Sequence, residues 1–365
     1  MRKQNTWFIL TLIITLSCTS SVPSKVEHKT TVQPTPKHQT SALRDPQMPA
    51  KTSQRKGEKT GFTSIADYDA YIQENPDDHQ AYYNRGTMYM KEGNFDAALH
   101  DFSKAIELRP DYQLAWVNRA VLHVKKGNLN EALSDYTKAI ELDPQNGRMY
   151  MQRAFVYEKK NDTKNALADY DKAIELKPDY AQAYINRGLL LESLKQEDRA
   201  LADYNKAIEL NSKLHKAYAN RGLIRARRKQ FDDAITDFTK AIELEPTYAR
   251  GHYNRGLIYL MVNRLDEALS DFNKAIELEP NFAKSYYNRG AIYTQKKDFE
   301  SAGRDYDKAI ELEPNNGKYY ISRAVNNFNR QQYDAAWADI EKAKQLQVTP
   351  SQKFLDALKK ASGRK

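Results

Sequence analysis

The chain of 365 residues returns again and again to Asn-Arg-Gly or Asn-Arg-Ala, first in "AYYNRGTMYM" and later intact in "SYYNRGAIYT". Eight arginines, six of them in this motif, stand one 34-residue period apart: Arg85, Arg119, Arg153, Arg187, Arg221, Arg255, Arg289 and Arg323. Eight aspartates keep the same period: Asp101, Asp135, Asp169, Asp203, Asp237, Asp271, Asp305 and Asp339. A guanidinium presents a planar fork that binds both oxygens of a carboxylate, so this co-occupation predicts an ion pair across two segments or between neighbouring units. The competing use is an arginine stripe for acidic ligands. The asparagine before the arginine occurs six times, as Asn84, Asn118, Asn186, Asn220, Asn254 and Asn288, with Gln152 and Ser322 in the other two units. A carboxamide offers one acceptor and paired donors, the complement of a peptide unit.

Other chemistry is missing from the sequence. No phosphate-cradling glycine loop, HExxH, Cys/His ligand cluster or nucleophile elbow occurs, which predicts no enzyme activity, no metal and no cofactor. The seven histidines are scattered, and His123 and His252 stand where sister units carry tyrosine, as core substitutes. The single cysteine, Cys18, excludes an intramolecular disulfide and a thiolate metal cage. The Lys and Glu of the repeated "KAIEL" read as pairs along a helix face.

These residues sit in a strict repeat. Units start at His79, Gln113, Gly147, Ala181, His215, Ala249, Ala283 and Gly317. The twentieth and twenty-seventh places are always alanine and the eighth is always small. The fourth is usually aromatic, and proline usually closes the unit. Apolar spacing within a unit is helical in two blocks, separated by polar breaks such as "KEGNF". Each unit is therefore a helical hairpin, with small residues where the paired helices meet. A single hairpin cannot hide its apolar face, so the units must stack into a solenoid with capped ends. Upstream, "TSIADYDAYIQENP" matches the second helix of a further unit. Downstream, "TPSQKFLDALKKASG" reads as a closing helix, with Thr349 as N-cap, Pro350 in its first turn, Gly363 as its stop, and Phe354, Leu355 and Leu358 on one face.

This pattern resembles the tetratricopeptide repeat over residues 79–348. The resemblance implies an all-α, right-handed superhelical solenoid of eight 34-residue hairpins, with an N-terminal half-repeat over residues 61–78 and a capping helix over 349–365. Ser212 and Val348 depart from the closing proline, His252 from the fourth-place aromatic, and Arg225 and Asn327 from the eleventh-place tyrosine; loosened packing is expected there. The resemblance also places the second, fifth, sixth, ninth, twelfth and thirteenth positions of each opening helix on a concave groove. In some long members a similar asparagine ladder grips the backbone of an extended peptide. The expected peptide-binding residues are Asn84, Asn118, Asn186, Asn220, Asn254 and Asn288, with Tyr83, Tyr253 and Tyr287, and with Lys216, Arg250 and Lys284. Local hydrogen bonding inside the helix layer and inheritance by duplication are the alternatives for the asparagines. A solvated face is the alternative for the basic residues. A set of basic groove residues for clamping a C-terminal carboxylate, used by other family members, is absent.

Charge is uneven. Residues 1–60 hold 10 Lys/Arg against 3 Asp/Glu, leaving 47 against 45 elsewhere, so the formal net charge of +9 belongs largely to the N-terminal segment. That argues against nucleic acid as a partner, because a nucleic-acid site needs cations gathered on a folded surface. The start, "MRKQNTWFILTLIITLSCTS", has the layout of a signal peptide over residues 1–17. With Cys18 it resembles a bacterial lipoprotein signal, which implies lipidation at Cys18. Residues 18–60 are poor in large apolar residues and read as a disordered basic tether. The expected protein is a non-catalytic scaffold at the bacterial cell envelope. It faces the periplasm or cell surface from a lipid anchor, or is secreted, and binds a protein or extended peptide with apolar anchors and some negative charge. A structural or self-assembling envelope component and a regulatory subunit of an envelope enzyme are the other readings.

Overall fold

The computed structural model describes residues 62–364, which contain 18 helices and no strand. Cys18, the signal segment and the tether lie outside the described residues. The helices form two compact units, residues 62–176 and 177–364.

In the first unit, a lone helix α1 (Ile65–Glu74) precedes three hairpins. These are α2 (His79–Glu92) with α3 (Phe95–Leu108), α4 (Gln113–Lys126) with α5 (Leu129–Leu142), and α6 (Gly147–Lys159) with α7 (Thr163–Leu176). The second unit has five hairpins and a last helix. They are α8 (Ala181–Ser193) with α9 (Glu197–Leu210), α10 (His215–Arg227) with α11 (Phe231–Leu244), α12 (Ala249–Met261) with α13 (Leu265–Leu278), α14 (Ala283–Gln295) with α15 (Phe299–Leu312), α16 (Gly317–Asn329) with α17 (Tyr333–Gln345), and α18 (Gln352–Ser362). The eight hairpins are numbered in this order below.

Small residues set the closeness of each hairpin. The alanines at places twenty and twenty-seven are fully buried throughout, from Ala98 and Ala105 to Ala336 and Ala343. At place eight, a Cβ on Gly188 would stand 2.7 Å from the Tyr204 ring, and one on Gly86 would stand 2.9 Å from Phe102. Larger side chains there would push the helices apart. Every hairpin reverses through a left-handed residue at place fifteen. Glycine fills it in hairpins one and two (Gly93 and Gly127, φ 83°), but Asn161, Lys195, Lys229, Asn263, Lys297 and Gln331 fill it afterwards with φ between 60° and 64°. Those six accept a conformation that Cβ-bearing residues ordinarily avoid.

Most opening helices have no side-chain N-cap, and the residue in that position is often aromatic. Tyr112 and Phe282, each preceding an opening helix, pack instead against Tyr83 and Tyr253, with ring centroids 5.1 and 4.6 Å apart. Packing between hairpins replaces the capping hydrogen bond. At the N-terminal end, Asp67 stands at the place that elsewhere pairs with arginine. With no arginine hydrogen-bonded to it among the described residues, it closes a capping box with Ser64.

The C-terminal helix starts later than the sequence suggested. Ser351, not Thr349, is its N-cap, accepting from the Phe354 amide at 3.3 Å, and Pro350 precedes the cap. Phe354 and Leu358 are buried with Leu355 beside them, and Gly363 ends the helix with a φ of 70°. The irregular places are not loosened. The helix before Ser212 ends with the same amide-to-carbonyl bond as its neighbours, Asn211 to Ala207, and Val348 packs close to Gly317.

Candidate partner-binding face

The arginine and aspartate rows form a structural layer. In each hairpin the guanidinium sits between the opening and closing helices and reaches both aspartate oxygens. Arg153, for example, donates from Nε and Nη2 to Asp169 at 2.8 and 2.9 Å. The aspartates are buried in all eight hairpins. The remaining Nη1 reaches back to the closing helix of the preceding hairpin: Arg119 to Ser103, Arg153 to Thr137, Arg221 to Asn205, Arg255 to Thr239, Arg289 to Asn273 and Arg323 to Asp307. Arg85 makes the same bond to Asp69 of α1, so the half-repeat supplies a full partner. In every hairpin but the sixth the ring at place four lies under the guanidinium, as Trp116 does under Arg119 at 4.8 Å.

The same aspartates absorb the irregular residues. Arg225 donates to Asp237 at 2.8 Å and Asn327 to Asp339 at 3.1 Å, while the His252 ring nitrogen lies 3.1 Å from Asp271. Burial works against the Asp271 carboxylate. The bonds from Arg255 and His252 outweigh it and hold the group below the usual carboxylate range. The tyrosine substitutes at places four and eleven are thus polar side chains that join an existing anchor.

A second coupling escaped the sequence reading. Where place twenty-four is tyrosine, place twelve of the opening helix is usually polar: Tyr170 donates to Glu158 at 2.9 Å, Tyr204 to Glu192 at 3.2 Å, and Tyr306 lies 3.0 Å from Thr294. Where place twenty-four is phenylalanine, place twelve is apolar, as in Phe102 with Met90 and Phe272 with Leu260. Hairpin two breaks the rule. Tyr136 is paired in sequence with Val124, and its buried hydroxyl has no partner. Reading places twelve and twenty-four together would have revealed this. Glu158 is consequently no free groove charge: burial raises its carboxyl above the ordinary range, although the Tyr170 hydroxyl favours ionisation. Glu192 also binds Arg227 at 3.0 Å.

The asparagine row is not uniform. Asn118 donates to the Tyr83 hydroxyl of the preceding hairpin at 3.1 Å, and Asn288 donates to Tyr253 at 3.2 Å and to the Lys284 carbonyl at 3.0 Å. Ser322, in the same row, reaches Tyr287 at 3.3 Å. A tyrosine at place five therefore captures the sixth place of the next unit. Asn84 lies beside the Tyr68 hydroxyl and favours its ionised form, and Asn186 accepts from Gln182 at 2.8 Å. Asn220 and Asn254 are half-buried and make no side-chain hydrogen bond to another described residue. Tyr83 and Tyr287 are themselves buried in the stack, and Tyr253 is half-buried against Phe272 and Phe282. The unbroken ladder expected from the sequence is thus divided, because the tyrosines once assigned to the groove hold part of it inside the stack.

In the second unit, successive opening helices touch one another more extensively than successive closing helices do. In hairpins five and six the part of the opening helix left uncovered carries places two, six, nine and thirteen, whereas in hairpins four, seven and eight place six is buried. At place two Arg250 and Lys284 are exposed, Lys216 is half-buried, and burial lowers the Lys216 pKa. Leu189 is 44% exposed, with Leu223 and Leu257 half-buried in the same row. Hairpin six therefore carries an exposed cation, an unengaged carboxamide and a leucine along one helix face, and hairpin five carries the carboxamide and leucine beside the half-buried Lys216. Among the described residues no three His, Cys, Asp or Glu side chains form a metal-holding group, and no helix is long and apolar enough to cross a membrane.

Comparison with known families gives matches to the tetratricopeptide repeat at residues 79–112, 114–146, 181–214, 249–282 and 283–316, and to a TPR repeat description at 156–195 and 223–263. Among solved structures, the chain is similar to a tetratricopeptide repeat protein from Parabacteroides merdae at 23% identity and a TM-score of 0.51, over 68% of this chain and 98% of that one. It is similar to Pseudomonas aeruginosa PilF at 20% identity and a TM-score of 0.51, over 56% and 92%. YrrB, described as a TPR protein with an unusual peptide-binding site, aligns at 29% identity with a TM-score of 0.44, over 50% and 95%. Comparison with curated protein sequences gives no match.

Proposed function

The chain belongs to the tetratricopeptide repeat family, whose members mediate protein–protein interactions, and we propose that it is a non-catalytic scaffold holding an extended segment of a partner along its opening helices. The observation that carries this reading is the pair Asn220 and Asn254. Both are carboxamides on successive hairpins, flanked by leucines and left without an internal partner. Packed helices stand about 8 to 10 Å apart and an extended chain advances about 3.3 Å per residue, so the two carboxamides would meet about every third peptide unit. Leu223 and Leu257 would receive apolar side chains of the ligand. The signal-like start and Cys18 support a lipid-anchored position at the bacterial cell envelope, with the basic segment as a tether between membrane and repeats.

The test is recovery of partners from detergent-solubilised envelopes with wild-type protein and with Asn220→Ala/Asn254→Ala. Loss of one or more partners from the double variant is expected; identical partner lists would remove the carboxamide grip. Labelling with a radioactive fatty acid, present in wild type and absent in Cys18→Ser, tests the anchor separately.

A further inference from the structure

Leucine fills place nine in three consecutive hairpins of the second unit, as Leu189, Leu223 and Leu257, and the row stops at Ala291, which is buried. Place six lies three residues earlier on the same helix face, so Asn220 and Asn254 stand beside Leu223 and Leu257. Successive opening helices here approach to within 8 Å between Cα atoms, as expected of packed helices about 8 to 10 Å apart. An occupant must therefore return the same side-chain face, and a free peptide group, at that interval. Three regular conformations come near it. A β-strand brings its third residue to about 10 Å, but its side chains alternate, so that residue points away. An α-helix brings its seventh residue to the same side at about 10.5 Å, yet its peptide groups are bonded internally and offer nothing to a carboxamide. A polyproline II helix turns once in three residues and rises about 9.3 Å in doing so, with every peptide group free. Only this last conformation meets both demands.

Resting on the extended-segment reading above, we infer that the occupant of hairpins four to six is a polyproline II segment of another protein with an apolar side chain at every third position. Three such side chains meet Leu189, Leu223 and Leu257, and Asn220 and Asn254 bond the peptide groups between them. Met261, one turn beyond Leu257 and 41% exposed, lengthens the apolar strip. Asn186 is buried against Gln182 and Asn288 against Tyr253, which confines the carboxamide grip to hairpins five and six. Charge selects among such segments. Arg250 and Lys284 are exposed beside the strip, which favours a neutral or acidic occupant over a basic one. Leu43, Pro46 and Pro49 of this chain keep the same spacing, but residues 1–60 hold 10 Lys/Arg against 3 Asp/Glu, which sets that segment against the same cations.

The experiment uses the full chain in detergent and three fluorescein-labelled peptides, read by anisotropy. One repeats Val-Pro-Gln, one has the same composition with all valines in a block, and one replaces each Pro by Gly. The Val-Pro-Gln repeat should bind about tenfold more tightly than its Gly counterpart, because each proline removes freedom that the free peptide would lose on binding. Leu189→Gln, at an exposed position, should weaken the repeat about fivefold and the block isomer less. Asn220→Ala/Asn254→Ala should weaken the Pro and Gly repeats alike. Equal affinity for the Pro and Gly repeats, or tighter binding of the Gly repeat, overturns the polyproline II inference and leaves the groove reading standing. Equal affinity for the block isomer overturns it in favour of unspecific apolar adhesion. Binding of no peptide overturns both readings. Leu43→Ser/Pro46→Ser/Pro49→Ser should bind the repeat as wild type does; tighter binding by this variant would make the chain's own segment the occupant and overturn the assignment to another protein.

Discussion

Places six and seven are adjacent in every unit, yet they belong to two different regions of the molecule. Place seven faces inward, and all eight of its arginines are paired with buried aspartates. Place six faces the neighbouring opening helix, and its residues range from buried and bonded, as in Asn288, to unengaged, as in Asn220 and Asn254. Repetition alone therefore does not separate structure from function. The same regularity produces an invariant anchor in one row and, in the next, a set of side chains sorted by whether a neighbour, a tyrosine hydroxyl of the preceding hairpin or, for Asn186, Gln182 of the same helix, engages them.

The largest test of this contrast lies in the anchor. Arg153→Met leaves the buried Asp169 without a cation and should cost about 3 to 5 kcal/mol. Arg221→Met should cost clearly less, because Arg225 still pairs with Asp237. Hydrogen exchange across the affected hairpins is the suitable measurement, since a stack of repeats need not unfold as one unit. Equal losses in the two variants would show that the second arginine does not substitute for the first.

The next effect compares hairpins two and three. Tyr170→Phe removes the donor to Glu158 and should cost about 1 to 3 kcal/mol, whereas Tyr136→Phe removes an unpartnered buried hydroxyl and should be neutral or stabilising. The pH dependence has a definite sign. Burial raises the Glu158 pKa in the folded state, so the stability linked to its protonated form is complete below the ordinary glutamate value of 4.5 and is lost as pH rises through the higher folded value. Tyr170→Phe raises the folded value further, so its destabilisation should be greater at pH 8 than at pH 4. Denaturant titrations at the two pH values check this; a loss larger at pH 4 would contradict it.

The smallest effect sharpens the sixth place itself. Asn288→Ala breaks two internal bonds and should cost about 1 kcal/mol, while Asn254→Ala should leave stability unchanged. Equal thermal shifts would mean that the row is not divided as described.

Much of this was legible in the sequence. The period, the small residues at places eight, twenty and twenty-seven and the closing prolines specify hairpins, and matching occupation of places seven and twenty-three specifies the ion pair. The third partner of the arginine was not legible. Ser103, Thr137, Asn205, Thr239, Asn273 and Asp307 differ in type and share only an oxygen that accepts a hydrogen bond. The divided asparagine row was hidden for a different reason. Whether Tyr253 captures Asn288 depends on how far one hairpin advances past the next, a distance the repeat length does not state. The late start of the final helix at Gln352 reflects a local choice between two hydroxyl residues flanking Pro350, and Ser351 is the one that reaches the Phe354 amide.

The backward reach of each guanidinium gives the stack a direction. Within either unit, trimming hairpins from the C-terminal side leaves every surviving arginine with all of its partners. Trimming from the N-terminal side always deprives the newly exposed first hairpin of the oxygen its arginine used. The half-repeat at Ile65–Glu74 fills that need with a single helix and Asp69. Natural gain or loss of whole repeats should therefore be better tolerated toward the downstream end, and a shortened derivative should keep this small helix as its leading edge.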